Sequence, residues 1–389
     1  MDSRERVFRA LSFEEPDRAP IDLWMSKGFK KKLFSARGEG VSGTEFPKHR
    51  NRGTQFPKHR DASEEAFLDA HDVDLRYIEG PAYIGPPLRE FADGSKEDIW
   101  GVRRKSVTVQ MANGTEVYEE VAASPLASAS SVEEIDNYSH WPSPDWFDYG
   151  GVEAQCERIR ERWRVVVFQG DRMNRVAQLK PAMYIRGMEQ IFMDMTLEPE
   201  IAEAVFANIR GFYCAYAERI FGAANGKIDI ILTGDDFGAQ NGPLVSPEMW
   251  VRFLGRGFAD YVSLAKSHGA RVMHHTCGSV RPIIPLMIDR GLDVLQSIQP
   301  EAADMDPREL KREFGSRLAF HGGISIQRTM PFGTPEEVRK EVRDKMEALG
   351  KGGGYILCTS HNIQADTPLE NLDALLGAYR DYAQSTSTT

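Results

Sequence analysis

The sequence predicts an α/β protein built as a (β/α)8 barrel of the TIM type, on three observations. Short β-rich runs alternate with amphipathic helical stretches. The runs number eight, the strand count of a closed parallel barrel. The polar residues with metal or acid–base chemistry gather where those runs end, as the active face of such a barrel requires. An open doubly wound sheet fits less well, because no Gly-x-Gly-x-x-Gly follows an early strand.

In chain order the candidate strands are Ala19–Trp24, Val73–Ile78, Arg164–Gln169, Lys227–Leu232, Ala270–His275, Leu292–Ser297, Arg317–His321 and Gly354–Cys358. Helical patterns between them include Pro247–Ser267 and Pro335–Leu349. The second opens with Thr334 as N-cap, Pro335 at the first helical position and Glu336 and Glu337 in the first turn. Two stretches interrupt the alternation. Residues 84–123 carry alternating runs on either side of Asn113-Gly114, a hairpin signal, and read as a β-insertion. Residues 124–147 are rich in Ser, Pro and aromatics and read as a loop. An N-terminal loop insertion holds a near-exact tandem repeat over 43–60, expected to be a duplicated surface loop or a flap over the barrel mouth. The chain is expected to form one domain over 1–389.

Composition excludes several classes. The chain has 389 residues, 27% charged and 41% hydrophobic, which is ordinary for a soluble globular protein. A net charge of -10 argues against a general nucleic-acid binder. No apolar run of about 18 residues predicts a membrane span, and the charged N-terminus lacks a signal core. A cytoplasmic location is expected. The four cysteines, Cys156, Cys214, Cys277 and Cys358, are too few for a disulfide scaffold. Cys156 and Cys214 sit in helical patterns and are expected to pack without chemistry.

The chemistry centres on Val272-Met-His-His-Thr-Cys-Gly278 and on Tyr355-Ile-Leu-Cys-Thr-Ser360. His275 and Cys277, two apart at a strand end, share a side. With Cys358 they form an imidazole–dithiol set that zinc favours, and three protein ligands leave one position open, as in catalytic sites. Asp235, Asp236, His321 and His361 are candidates for the fourth position, unranked. One of Asp235 and Asp236 is expected to act as general acid or base or to orient a ligand histidine, the alternative being a capping or loop-fixing role. His321, ahead of Gly-Gly, is expected to bond substrate. His274 alternates away from His275 and should face the helices.

Several stretches resemble the uroporphyrinogen decarboxylase superfamily: Arg4-Glu-Arg-Val-Phe-Arg-Ala-Leu with Pro16-Asp-Arg-Ala-Pro20, Thr276-Cys-Gly-Ser, Phe320-His-Gly-Gly, and Ser360-His-Asn-Ile-Gln. The resemblance covers nearly the whole chain and implies a (β/α)8 barrel. The decarboxylases of that superfamily carry an arginine-rich segment after the first strand for the carboxylates of their substrate; here Ser26-Lys-Gly-Phe-Lys-Lys-Lys32 stands in its place. The other branch resembled is that of zinc-dependent corrinoid methyltransferases, whose His-x-Cys and later Cys match His275, Cys277 and Cys358.

This resemblance implies Zn2+ and a cobalamin, the latter on a separate corrinoid protein because no Asp-x-His-x-x-Gly occurs in the chain. His361, Asn362 and Gln364 are then expected to face the corrinoid. The favoured reaction is O-demethylation of a methoxylated aromatic, with methyl passing to cob(I)alamin and Asp235, Asp236 and His321 assisting. Methyl transfer from methylcobalamin to a thiol, a decarboxylase-like reaction, and a non-catalytic zinc or corrinoid accessory are the alternatives. A small methyl donor or acceptor is implied as a partner, and a homodimer is left open.

Overall fold

In the computed structural model the described residues are 1–38, 62–170 and 175–386. The tandem repeat over 43–60 therefore lies outside them, as do Asp171, Arg172 and Met173 at the end of the third candidate strand.

Among the described residues twelve strands occur: β1 Leu75–Ile78, β2 Ala82–Tyr83, β3 Lys96–Glu97, β4 Arg103–Met111, β5 Gly114–Ala123, β6 Phe147–Asp148, β7 Val165–Phe168, β8 Ile230–Gly234, β9 Arg271–His275, β10 Val294–Ile298, β11 Ala319–Ile324 and β12 Tyr355–Thr359. Seven form one parallel sheet in the order β1-β7-β8-β9-β10-β11-β12. Each answers to a candidate strand of the sequence. The eighth candidate, Ala19–Trp24, is shorter than expected, reduced to the parallel bridge of Ile21 with Leu357. It still occupies the gap between the sheet edges. Asp22 N donates to Leu357 O and Leu357 N to Pro20 O on one side, and Asp74 N donates to Ile21 O on the other. Pro20 has no N–H to add to that ladder, which limits its length.

Side-chain alternation sorts the sheet into an inner and an outer face. Leu75, Val165, Val167, Ile230, Leu232, Met273, Val294, Ala319 and Ile356 form the inner apolar cluster, joined by Val7 and Leu11 of the helix Ser3–Leu11. Gly354 N, at the start of β12, donates to Ala10 O, so this helix closes the end of the barrel where strands begin. The outer face packs against the helices in the main core.

Asp74, fully buried, ties the N-terminus to β1. It accepts from Ser3 Oγ at 2.7 Å, Arg6 Nη1 at 2.8 Å, Arg18 Nη1 at 2.8 Å and Ile21 N at 2.9 Å. The arginines of the two N-terminal motifs thus serve the fold.

The insertion is a three-stranded antiparallel sheet, β3-β4-β5. Its turn differs by one residue from the expected Asn113-Gly114: Met111 pairs with Gly114, so Ala112 and Asn113 make the turn. A Cβ on Gly114 would stand 2.5 Å from Ala365 Cβ, so the tip lies directly on the loop after β12. Buried Glu116 holds it there, accepting from Ala365 N at 3.1 Å and from the Ser26 hydroxyl. The 124–147 stretch is largely irregular but contains a short helix, Val132–Asp136. The expected cap of the late helix forms as a full capping box between Thr334 and Glu337. Cys156 and Cys214 lie in helices, unpaired.

Removing the Asp74 carboxylate takes the shared anion from Arg6 and Arg18: Arg6 keeps its pair with Asp17, whereas the largely buried Arg18 loses its carboxylate partner. Asp74→Ala is expected to cost about 3–5 kcal/mol of stability, read as a lower urea midpoint at unchanged slope.

Candidate metal centre

The inward alternation that places the apolar cluster continues toward the strand ends and there becomes polar. Gly234, His275, Gln296, His321 and Ile356 stand in register across β8 to β12. His275 and His321 are therefore separated by one strand, with Gln296 between. His275 Nδ1–H donates to Gln296 Oε1 at 2.5 Å. That bond leaves the Nε2 lone pair of His275 free to bind a metal. Nε2 lies 3.4 Å from Cys277 Sγ. Zinc bonds of about 2.0–2.3 Å in a tetrahedron space the ligand atoms by about 3.5 Å, so this pair already has the separation the ion requires.

The third member of the cluster is His361. Ligand atoms of His275, Cys277 and His361 all lie within 4.8 Å of one another. The His361 and His275 rings meet edge to face at 5.5 Å, and Asn362 bonds His361 Nδ1, which orients that ring. Cys358, expected in this set, falls in a second group with Asp22 and His321, again within 4.8 Å of one another. Of the two imidazoles held open for the fourth position, His361 thus joins the His275–Cys277 pair and His321 does not.

The adjacent acids part as their alternation dictates. Asp235 turns outward and accepts from the backbone N–H groups of Gln178, Leu179 and Lys180 at 2.6, 3.1 and 2.7 Å. It caps the helix Leu179–Arg186 from another element, and burial pushes its carboxyl up to about 7 against those three donors. Asp236 faces the cluster. Its Oδ1 lies 3.6 Å from His275 Nε2 and accepts from Cys277 N at 3.3 Å, and its other oxygen pairs with Lys180. Burial works to raise the Asp236 carboxyl, but the Lys180 ammonium, with the Cys277 N–H, outweighs it and holds it below the usual range.

Burial holds both candidate imidazoles neutral. It takes His275 well below its ordinary value and also lowers His361. Burial, with Asp236 adding, pushes the Cys277 thiol up to about 12. His274 faces outward as expected, stacked on Phe237 with Nδ1 on the Thr233 hydroxyl at 2.8 Å. Gly278, at φ +79°, lets the chain turn directly after Cys277; a Cβ there would meet Ala239 O at 2.6 Å.

Asp22, Tyr77, Gln296, Lys180 and Arg175 escaped the sequence reading. Trp24 stacks its indole on His275 at 6.1 Å and donates Nε1–H to Tyr77 Oη at 2.7 Å. Tyr77 O–H donates to Asp22 at 2.5 Å, and His321 Nε2–H to the same oxygen at 2.9 Å. Asp22, Tyr77 and Gln296 are polar or amphipathic residues at the inward parity of their strands, a signal that alternation alone carries. Lys180 and Arg175 sit in or before a helix, and nothing local marks them. Arg175 packs against Gly234, where an added Cβ would lie 2.9 Å from its Cδ, and its charge reaches His275, Cys277 and His361. Gln364 donates to Tyr118 Oη of the hairpin at 3.4 Å, so its amide is engaged by the insertion.

The sequence model of the uroporphyrinogen decarboxylase (URO-D) family matches residues 176–382. The chain belongs to that family. It is 29% identical over 154 residues to the methylcobamide:CoM methyltransferase MtaA of Methanosarcina barkeri, covering 40% of this chain and 42% of that protein. It is 26% identical over 201 residues to the methylated-thiol–coenzyme M methyltransferase of Methanosarcina mazei, 51% of this chain and 50% of that one. Over 162 residues it is 25% identical to uroporphyrinogen decarboxylase of Coxiella burnetii, 40% of this chain and 41% of that protein. The matched stretches thus span half or less of these relatives' length. A solved methyltransferase from Methanosarcina mazei superposes with a TM-score of 0.66 at 18% identity, covering 98% of this chain and 99% of that one. That likeness shows a shared fold.

Two outcomes follow from the His275–Cys277 geometry. Gln296→Leu removes the acceptor that fixes the His275 ring and is expected to weaken zinc binding about 10–100-fold, measured by competition with a chromophoric chelator. Because the bare Cys277 thiol holds its proton up to about 12, binding must displace that proton. The apparent zinc affinity is therefore expected to rise about tenfold per pH unit across the neutral range, with one proton released per ion in calorimetry across buffers.

Proposed function

We propose that this chain is a zinc-dependent methyltransferase, moving a methyl group between a small molecule and a corrinoid carried on a separate protein. The observation that carries this reading is the His275–Cys277 pair at zinc-ligand spacing, with His361 completing a three-donor set. Two imidazoles, one thiol and a nearby carboxylate suit zinc by chemistry. The ion would supply Lewis acidity toward a heteroatom of the substrate.

The chain's own residues do the rest. His275, Cys277 and His361 would hold the ion, and Gln296 and Asn362 set the two rings. Asp236 keeps a negative charge beside the site. Burial works to lower Lys180, but its pairing with Asp236 outweighs this and raises it, so Nζ stays protonated and offers positive charge to a departing anion. Trp24 gives the site an aromatic wall against His275, and the hairpin lies close by through Gln364 and Tyr118.

A donor set with one thiolate leaves zinc more electrophilic than a set with two. This favours the demethylating direction, in which a leaving oxygen or sulfur anion needs stabilising. A methoxylated aromatic is the first substrate class proposed. Transfer to or from a thiol is the second, favoured by the similarity to MtaA and to the methylated-thiol enzyme. Porphyrinogen decarboxylation fits less well. Lys30 pairs with Glu64, and Lys32 donates to the carbonyls of Ala365 and Thr367, so these cations serve packing. The four unpaired cysteines suit a reducing compartment, and the setting proposed is cytoplasmic.

The test is a spectroscopic assay of cob(I)alamin consumption with methoxylated aromatics and methylated thiols, alongside zinc analysis. The wild type is expected to hold zinc and turn over one class. Cys277→Ser and His361→Ala are expected to lose zinc from this site and fall to the background rate. Full activity of a zinc-depleted Cys277→Ser protein would refute the proposal.

A further inference from the structure

We infer that the β4–β5 hairpin is a brace for the metal centre, and that Glu116 at its tip is a positioning residue that sets the loop 360–367, and with it His361, against His275. This inference rests on the reading of that centre as a zinc site and adds to it an element from outside the barrel.

The hairpin meets the site's supporting segments at both ends. At its base the Arg104 guanidinium lies 4.4 Å from the centroid of the Tyr184 ring. Tyr184 belongs to the helix Leu179–Arg186, which carries Lys180 to Asp236. At its tip the hairpin meets the loop after β12. Glu116 accepts from Ala365 N at 3.1 Å, Asn113 Nδ2 donates to Asp366 O at 3.2 Å, and Gln364 donates to Tyr118 Oη at 3.4 Å. Gly114 lies so close that a Cβ there would stand 2.5 Å from that of Ala365. Between the two ends Val107, Val109, Val117 and Val121 are exposed. A two-stranded ribbon by itself is marginally stable, so the end contacts fix where the hairpin lies and, reciprocally, where the loop lies.

Glu116 is the strongest of these ties. It is buried, and among the described residues it has no ion-pair partner, so N–H and O–H donors alone hold its charge. They are the Ser26 hydroxyl, Ala365 N and, at 3.4 Å, Gly28 N. A buried carboxylate loses much stability when such donors leave it, which makes the tie stiff where an apolar contact would slide. The loop it holds follows β12 directly. It carries His361, whose ring meets that of His275 edge to face, and Asn362, which orients that ring. Ser26 is shared between the two ties of this loop. Its N–H donates to Ile363 O at 2.8 Å, and its hydroxyl goes to Glu116. Releasing Glu116 therefore loosens the loop on both sides of Gln364.

Amide hydrogen exchange on the metal-free chain, with zinc competition against a chromophoric chelator, tests this. In Glu116→Ala the amides of 361–367 are expected to exchange about tenfold faster while those of β9 stay unchanged. The apparent zinc affinity is expected to fall about tenfold. Glu116→Gln keeps an acceptor for Ala365 N and is expected to stay within about twofold of the wild type on both readouts. Gly114→Ala wedges the tip off Ala365 with Glu116 still present, and is expected to move both readouts as Glu116→Ala does. Should Glu116→Ala fail to fold, Gly114→Ala decides. Unchanged loop exchange overturns the inference, as does a loosened loop with unchanged zinc affinity, or loosening that extends equally to β9. A wild type that binds no zinc refutes the zinc reading instead; the exchange measurement, made without metal, still decides whether the hairpin sets the loop.

Discussion

The alternation of side chains along the barrel strands is the constraint on which everything else here rests. Each strand offers the interior one residue in two. Near the strand starts those residues are apolar and pack with Val7 and Leu11. One step further along they are Asp22, Tyr77, His275, Gln296, His321 and Cys358. Polar groups in such a place must satisfy one another, because burying them unpaired costs several kcal/mol (about 1–3 each from mutational data). They do so in part, pairwise around the wall: Tyr77 and His321 on Asp22, His275 on Gln296, with His321 Nδ1 and Gln296 Nε2 left over. Oriented imidazoles and protonated thiols over an apolar floor follow from that packing.

The surrounding elements serve this interior. The N-terminal segment is held to β1 by Asp74, which places Asp22 and Trp24 beside Tyr77. The hairpin adds no strand to the barrel. It reaches across to the loop after β12 and is held there by Glu116, one buried carboxylate shared between Ser26 and Ala365. Asp235 spends both oxygens on the helix Leu179–Arg186, whose first turn carries Lys180 to Asp236. A capping contact in the fold thus sets the ion pair at the site.

Much of this was legible before any coordinates. Seven of the eight candidate strands appear as strands, because each is a compact β-rich run bounded by turn residues. The first survives only as a bridge, since Pro20 withholds an N–H. The outward face of His274 and the capping box at Thr334 follow from local rules and were readable as such. Local spacing also put His275 beside Cys277. Asp22, Tyr77 and Gln296 were readable in principle from inward parity, whereas Lys180 and Arg175 are brought in by packing between distant elements.

The sequence by itself determined the barrel, the face each strand residue takes and the His-x-Cys pair, because these depend on periodicity within a few residues. Tertiary structure decided which third polar side chain meets that pair. β9 and β12 are separated by two strands, and their relative height around the wall depends on the stagger of the whole sheet. With Cys358 set level with Gly323 in the ladder, it faces Asp22 and His321, while His361, three residues on and past the strand end, comes to His275. No spacing along the chain encodes that choice, since it is made by register accumulated across strands far apart in sequence.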